Sequence, residues 1–330
     1  MQKILVLTTG GTIASRKTEN GLAPGMADDV LISYFGERPG VELSVESVMN
    51  KDSTNMQPED WVALAERIQQ HQAEYDAFII THGTDTMGYT AAGLSYLLNG
   101  LEKPVILTGS QVPLGMAETD AVRNLHDALT FASQTTLNGV FVVFNGLVIL
   151  GTRAVKTKTK SYDAFESVNF PYIASVSDGE MGQLFEPETN EDKVIPSELK
   201  LDTNVFVLKA FPGLQPEILD YLAERVDGLI IESFGNGGLP FENRNLIPGI
   251  EKMTQAGIPV IITTQILQEG QDIYLYEVGQ QVAKAGGITV GDMNTEAVVA
   301  KLMWILAQTK NLDTVKVMMQ KPIAHDLDFI

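Results

Sequence analysis

Short, uninterrupted apolar runs that stop abruptly at threonine and glycine recur along the chain. Ile4-Leu5-Val6-Leu7 leads into Thr8-Thr9-Gly10-Gly11-Thr12-Ile13-Ala14-Ser15, and Ala77-Phe78-Ile79-Ile80 leads into Thr81-His82-Gly83-Thr84-Asp85-Thr86-Met87. Four apolar residues in a row do not alternate as a half-exposed strand does, and they are too few for a helix. They fit strands covered on both faces, as in a parallel sheet. Ligands of such sheets bind beyond the carboxyl ends of the strands. That is where these runs place hydroxyls and bare backbone, and glycines there let the main chain approach a ligand and present N–H donors to it.

The N-terminal part alternates such strands with amphipathic helices, the pattern of an α/β layer fold. A helix is expected over 58–70. Pro58 suits its first position, Glu59 and Asp60 complement the N-terminal dipole, and Trp61, Leu64, Ala65 and Ile68 share one face. Further helices are expected near 90–98 and 120–132, strands at 105–107 and 140–144, and a tight turn at Asn145-Gly146 into Leu147-Val148-Ile149-Leu150. Around Glu186-Pro187-Glu188-Thr189-Asn190-Glu191-Asp192-Lys193 the composition turns polar and aperiodic, which reads as a linker. Three more buried-strand runs follow, Val205-Phe206-Val207-Leu208, Gly228-Leu229-Ile230-Ile231 and Pro259-Val260-Ile261-Ile262. Helical patterns near 216–224 and 243–256 separate them, and a last helix is expected over 296–308, opened by Asn294 or Thr295. The expected organisation is a larger N-terminal α/β domain with a mostly parallel sheet over 1–185, a linker over 186–203, and a smaller, doubly wound, flavodoxin-like α/β domain over 204–330.

With 330 residues, 44% of them hydrophobic, the chain can fill two ordinary cores, which excludes the disordered class. A formal charge of −19 argues against nucleic acid or anionic lipid as partners, because both are held by Lys and Arg at phosphates. The chain has no cysteine, so disulfides, thiol nucleophiles and thiolate metal sites are excluded. The opening residues hold too short an apolar run for a secretory leader, and no stretch is long enough to span a membrane, so the expected location is the cytoplasm. Neither G-x-G-x-x-G nor G-x-x-x-x-G-K-[ST] follows the first strand, which leaves nucleotide binding without a motif.

Five segments in order resemble the bacterial L-asparaginase family, specifically its cytoplasmic type I branch. They are the two threonine–glycine signatures, Asp52-Ser53-Thr54-Asn55-Met56-Gln57-Pro58-Glu59-Asp60-Trp61, Lys103-Pro104-Val105-Ile106-Leu107-Thr108-Gly109-Ser110-Gln111, and Gly151-Thr152-Arg153-Ala154-Val155-Lys156-Thr157-Lys158-Thr159. The resemblance implies hydrolysis of L-asparagine to L-aspartate and ammonia through an acyl-enzyme on Thr12, by double displacement. Thr84, Asp85 and Lys156 match the family's second hydroxyl–carboxylate–lysine triad, with Asp85 also binding the substrate ammonium. An ammonium beside a hydroxyl and a carboxylate can act as a base once desolvated. Asp52, Ser53 and Thr54 match its substrate-binding segment, and Asn236, in Phe234-Gly235-Asn236-Gly237-Gly238, aligns with a residue that relatives supply across a subunit interface. The family further implies a homo-oligomer, a dimer or tetramer, and no cofactor.

Each residue also has a plainer reading. Thr12 can serve a turn, Lys156 can be one of a solvated strip with Lys158 and Lys160, and Asp52 to Thr54 can form a turn before the helix at 58. Many family members carry a tyrosine in the loop after the nucleophile, where this chain has Leu22, a residue that cannot exchange a proton. His71, His126 and His325 read as surface or structural residues. His82 has no second ligand at metal spacing, so no metal is expected. Two other readings stand beside the first: a mixed asparaginase–glutaminase, and a non-catalytic amino acid sensor that keeps the pocket.

Overall fold

The computed structural model describes residues 1–11, 13, 15–18, 21–24, 28–187 and 198–328. They form two compact units, Met1–Leu199 and Lys200–Ile330. The linker expected over 186–203 falls mostly outside the described residues.

The first unit opens with β1 (Gln2–Gly10), a short hairpin β2 (Ser15–Thr18) and β3 (Gly21–Pro24), α1 (Asp28–Ser33) and β4 (Val41–Lys51). Next come α2 (Pro58–His71), β5 (Ala77–Thr81), α3 (Met87–Leu97), β6 (Pro104–Thr108), α4 (Ala121–Gln134), β7 (Gly139–Phe144) and β8 (Leu147–Leu150). The small strands β9 (Ala154–Lys156), β10 (Phe165–Ser167), β11 (Ala174–Ser177) and β12 (Glu180–Gln183) complete it. Eight strands make one sheet in the order β12-β11-β8-β7-β6-β5-β1-β4. β4, β1, β5, β6 and β7 run parallel, and β8, β11 and β12 extend the sheet antiparallel.

The apolar runs behave as their composition requires. β5 and β6 are buried at every residue, and alternate side chains go to opposite layers. Ile4, Val6, Ala77, Ile79, Ile106, Phe141 and Val143 pack with Leu31 of α1 and with Leu125, Ala128 and Ala132 of α4. The other face lies under α3, whose Ala91 and Ser95 approach Gly151 so closely that a Cβ there would stand 2.7 Å from Ser95 Oγ and 2.9 Å from the Ala91 carbonyl. α2 packs on α3 through Trp61, set against Gly93. It starts where Pro58 and a reciprocal Gln57–Asp60 capping box set it. Between β7 and β8, Asn145 and Gly146 both take positive φ, 50° and 78°, as a two-residue hairpin turn demands.

The second unit is a separate parallel sheet of β13 (Val205–Lys209), β14 (Gly228–Ser233), β15 (Val260–Thr264) and β16 (Ile288–Thr289), in that order. α5 (Glu217–Ala223), α6 (Ile247–Gln255) and α7 (Glu277–Lys284) cover the face carrying Leu229, Ile231, Val260 and Ile262. α8 (Thr295–Leu306) covers the opposite face, since a Cβ on Gly228 would meet Leu302 and Leu306 at 3.0 Å. α9 (Leu312–Gln320) packs beside α8. Asn294 caps α8 by accepting from Ala297 N at 2.9 Å. α6 starts at Ile247, later than the expected 243, because Arg244 is left-handed at φ 54° and Asn245 Oδ1 accepts from Ile247 N.

Candidate active site

Strand order locates the site before any side chain does. From β1 the chain goes first to β4 on one side, then crosses back to β5 on the other and continues to β6 and β7. The two loops leaving the carboxyl ends of β1 and β5 therefore part from each other at a topological switch point, where open α/β sheets bind ligands. These are the two threonine–glycine segments.

Both loops come together without intervening side chains. Gly11 has φ +77°, and a Cβ there would sit 2.4 Å from the Gly83 nitrogen. On Gly83 a Cβ would strike Ser53 at 2.6 Å. Gly11 N–H donates to the Lys51 carbonyl at 2.9 Å, and Thr9 Oγ1 donates to the Thr81 carbonyl at 2.9 Å. The ends of β1, β4 and β5 are thus bound to one another, and Lys51 Nζ ties the same corner to Asp60 of α2 at 2.7 Å.

Within this frame Lys156, the last residue of β9, donates to Thr84 Oγ1 at 2.8 Å and to Asp85 Oδ1 at 2.6 Å. Lys156 is 16% and Asp85 57% exposed in their side chains, so the carboxylate faces the opening and the ammonium lies behind it. Thr84, itself buried, donates to Gln111 Oε1 at 3.2 Å. Ser53 is buried and accepts from Asp85 N–H at 3.3 Å, and its carbonyl accepts from Thr86 Oγ1 at 2.7 Å. Asp52 Oδ1 accepts from Thr54 N at 2.9 Å and from Thr54 Oγ1 at 2.7 Å, so these two side chains close the short turn Ser53–Asn55.

His82 lies beneath the site and is fully buried. Its Nδ1 stands 2.6 Å from the Gly83 carbonyl and its Nε2 2.9 Å from Thr90 Oγ1. A carbonyl only accepts, so Nδ1 carries the proton and Nε2 accepts from the threonine. Burial lowers its pKa from 6.5 to about 4, against the raising effects of the Gly83 carbonyl and Asp60, and the ring is neutral at pH 7. It holds the Gly83 peptide in place.

Thr84, Asp85, Lys156 and Ser53 are brought together, with Asp52 and Thr54 in the adjoining turn. Thr12 lies outside the described residues. Its chain neighbours are anchored: Gly11 as above, and Ile13 in the core with its carbonyl accepting from Leu114 N. Leu22 belongs to β3, paired with Lys17. Asn236 lies in the second unit, where its Oδ1 accepts from Asp272 N at 3.1 Å. Lys158 turns to Asp163, leaving Lys156 as the member of the strip bonded to the site. Two residues escaped the sequence reading. Gln111 is uncharged and gave no signal beyond its place in a motif. Asp120 looks like a helix cap but instead accepts from the N–H groups of Gln111 and Val112. Among the described residues no group of His, Asp and Glu is gathered that could hold a metal ion.

The model of the asparaginase N-terminal domain matches residues 3–188, and that of the glutaminase/asparaginase C-terminal domain matches residues 204–319. The chain is 40% identical to the L-asparaginase of Thermococcus kodakarensis, with 98% of this chain and 99% of that one covered. The solved thermostable L-asparaginase from that organism superposes with a TM-score of 0.93 over all of both chains at 39% identity. L-asparaginase 1 of Escherichia coli (strain K12) is 33% identical over 99% of each chain. A component of the glutamyl-tRNA(Gln) amidotransferase of Pyrococcus abyssi is also 33% identical, over 99% of this chain and 77% of its own length.

Proposed function

The chain belongs to the asparaginase family, and on that premise we propose that it hydrolyses L-asparagine to L-aspartate and ammonia in the cytoplasm through an acyl-enzyme on Thr12. The observation that carries the reading is Lys156 bonded at once to Thr84 and Asp85 where the loops after β1 and β5 meet. Binding alone needs no such hydroxyl–lysine–carboxylate set, which argues against a sensor.

The substrate's α-ammonium pairs with Asp85, whose carboxylate is open to the mouth of the site. Its α-carboxylate accepts a hydrogen bond from the Ser53 hydroxyl, whose oxygen already accepts from Asp85 N–H and whose proton is therefore free to point outward. Thr12 Oγ adds to the side-chain carbonyl, the C–N bond breaks, and the proton lost by Thr12 leaves with the nitrogen as ammonia. Water then adds to the ester, the bond to Thr12 Oγ breaks, and a proton returns to Thr12. Thr84 and Lys156 orient and deprotonate that water. Backbone N–H groups of the glycine loops stabilise the oxyanion in each step. The deprotonation of Thr12 does not pass through residue 22, since leucine has no proton to exchange.

Ammonia release from L-asparagine, L-glutamine and D-asparagine, measured side by side on purified protein, tests the reading. Release from L-asparagine is expected, together with an aspartyl adduct on the peptide containing Thr12 after rapid acid quench. Thr12→Ala is expected to lose both, while a variant that keeps substantial turnover would rule out the acyl-enzyme. The second family model covers glutaminases too, and one methylene is worth only about 1–3 kcal/mol in a pocket. The glutamine arm therefore separates a strict asparaginase from a mixed enzyme.

A further inference from the structure

Thr84 Oγ1 accepts a hydrogen bond from the Lys156 ammonium. An ammonium has no lone pair to offer in return, so the Thr84 proton must point elsewhere. Gln111 Oε1 stands 3.2 Å away to receive it. The amide cannot be turned round, because its Nε2 donates to the Ser161 carbonyl at 3.2 Å, and a flipped group would set oxygen against oxygen there. The backbone behind Gln111 is fixed as well. Asp120 accepts from Gln111 N–H at 3.0 and 3.1 Å and from Val112 N–H at 2.9 Å. Asn124 Nδ2 in turn donates to Asp120 Oδ2 at 3.2 Å and to the Gly109 carbonyl at 2.9 Å.

We propose that Gln111 is a positioning residue of this site: by accepting the Thr84 proton it turns the hydroxyl's lone pairs toward Lys156 and so makes the lysine the donor to both Thr84 and Asp85 in the resting state. Thr84 can pass its proton to Lys156 only after the lysine has given one up to the Asp85 carboxylate, which it contacts at 2.6 Å, and the hydroxyl has swung away from Gln111. The glutamine thus fixes the direction in which protons move along the triad. It also joins three chain segments, the loops after β5, β6 and β9. The third of these has an independent tie, since the Tyr162 hydroxyl donates to the Glu118 carbonyl. Loss of Gln111 therefore leaves the loop after β9 attached.

The kinetic part rests on the asparaginase reading, and three variants separate orientation of Thr84 from mere tethering. Gln111→Met keeps the side chain's length and loses both bonds. Gln111→Glu keeps an acceptor for Thr84 and loses the donor to Ser161. Tyr162→Phe loses only the loop tie. Gln111→Met is expected to lower kcat about 10–100-fold with KM within about threefold, as misplacement of a reacting group does. Gln111→Glu should retain clearly more kcat than Gln111→Met, and Tyr162→Phe should keep the wild-type kcat. Equal losses in the two Gln111 variants, or a Gln111→Met kcat within about twofold of wild type, would overturn the proposal. Should Gln111→Met fail to fold, Gln111→Glu decides by itself, retained kcat supporting the proposal and lost kcat in a folded protein refuting it. A second measurement needs no turnover: in crystal structures of the two proteins the Lys156 Nζ–Thr84 Oγ1 contact of 2.8 Å should be kept in wild type and lost in Gln111→Met, where nothing holds the hydroxyl's lone pairs toward the lysine. An unchanged contact would sink the proposal even if the protein acts on another amide, whereas a wild type that releases no ammonia but shows the difference would sink only the asparaginase reading.

Discussion

Three lysines, Lys156, Lys158 and Lys160, alternate along one short stretch, and nothing in their spacing distinguishes them. What separates them is where β9 ends: its last residue turns to the β5 loop, whereas Lys158 lies beyond the strand and pairs with Asp163 at the surface. Lys156→Met should therefore lower kcat by about 10²–10⁴, the usual span for a proton-transfer group. Lys158→Met should leave it nearly unchanged, because its ion pair with Asp163 is exposed, screened by water and away from the Thr84–Asp85 pair. Steady-state kinetics on the two variants checks the contrast. His82 makes a second prediction, about stability. With its pKa lowered from 6.5 to about 4 by burial, the folded state favours the neutral ring. That stabilisation is fully present above pH 6.5 and is lost as pH falls from there through 4. At about 1.36 kcal/mol per pKa unit its full size is about 3 kcal/mol. The His82 ring resonance in a pH-titrated NMR spectrum should move near pH 4, and a midpoint near 6.5 would refute the assignment.

At the scale of elements, α4 carries an apparent flaw. Asp127 is buried in the middle of the helix, and its Oδ2 has no hydrogen-bond partner, with Arg123 Nε 3.5 Å away. Burial raises its pKa from 3.8 to about 6, only partly opposed by Arg123, His126 and a hydrogen bond from the Gly146 backbone. The ionised form is thus disfavoured in the fold, and the cost, about 3 kcal/mol at most, is present above pH 6 and disappears as pH falls toward 3.8. Asp127→Asn should raise the urea midpoint at pH 8 and change it little at pH 4. A variant equally or less stable at pH 8 would disprove the burial argument. How far such elements could be read from sequence depended on how completely they are buried. β1, β5, β6 and β7 were legible because they are covered on both faces, and α2 because its caps and apolar stripe agree. β4 was missed although Val41, Leu43 and Val45 alternate with Glu42, Ser44 and Glu46, the period of a half-buried edge strand. β16, with two residues, is too short to leave a pattern. α3 is buried almost all round, which blurs its periodicity and hid its true start at Met87. In the site, the charged and hydroxyl groups stood out, but the pairing of Thr84 with Gln111 depends on two loops far apart in sequence, and no local pattern encodes it.

The whole molecule divides the labour between two units, each with its own core. Thr84, Asp85, Lys156 and Ser53 all belong to the first. The second carries Asn236 and, near it in sequence or through the Asn236–Asp272 bond, a run of exposed apolar side chains: Phe234, Ile266, Tyr274, Leu275 and Tyr276 are 37–59% exposed. Single exposed apolar residues are ordinary, whereas apolar side chains gathered into a patch are a common feature of surfaces that another protein covers. The family resemblance supplies the partner, a second copy of the chain, and we expect a tetramer built from tight dimers in which this surface completes the neighbour's site. Each copy carries a formal charge of −19, so association must overcome like-charge repulsion, and screening it should strengthen assembly. Light scattering during dilution should show dissociation at higher protein concentration in about 10 mM salt than in about 150 mM. Activity should fall as the particles dissociate. Tyr276→Ser, at a side chain too exposed to hold up the core, should shift dissociation to higher concentration and lower activity in step with it. A monomer that is fully active would refute a shared site, and an oligomer whose activity is indifferent to Tyr276 would show that this surface is not the one that completes it.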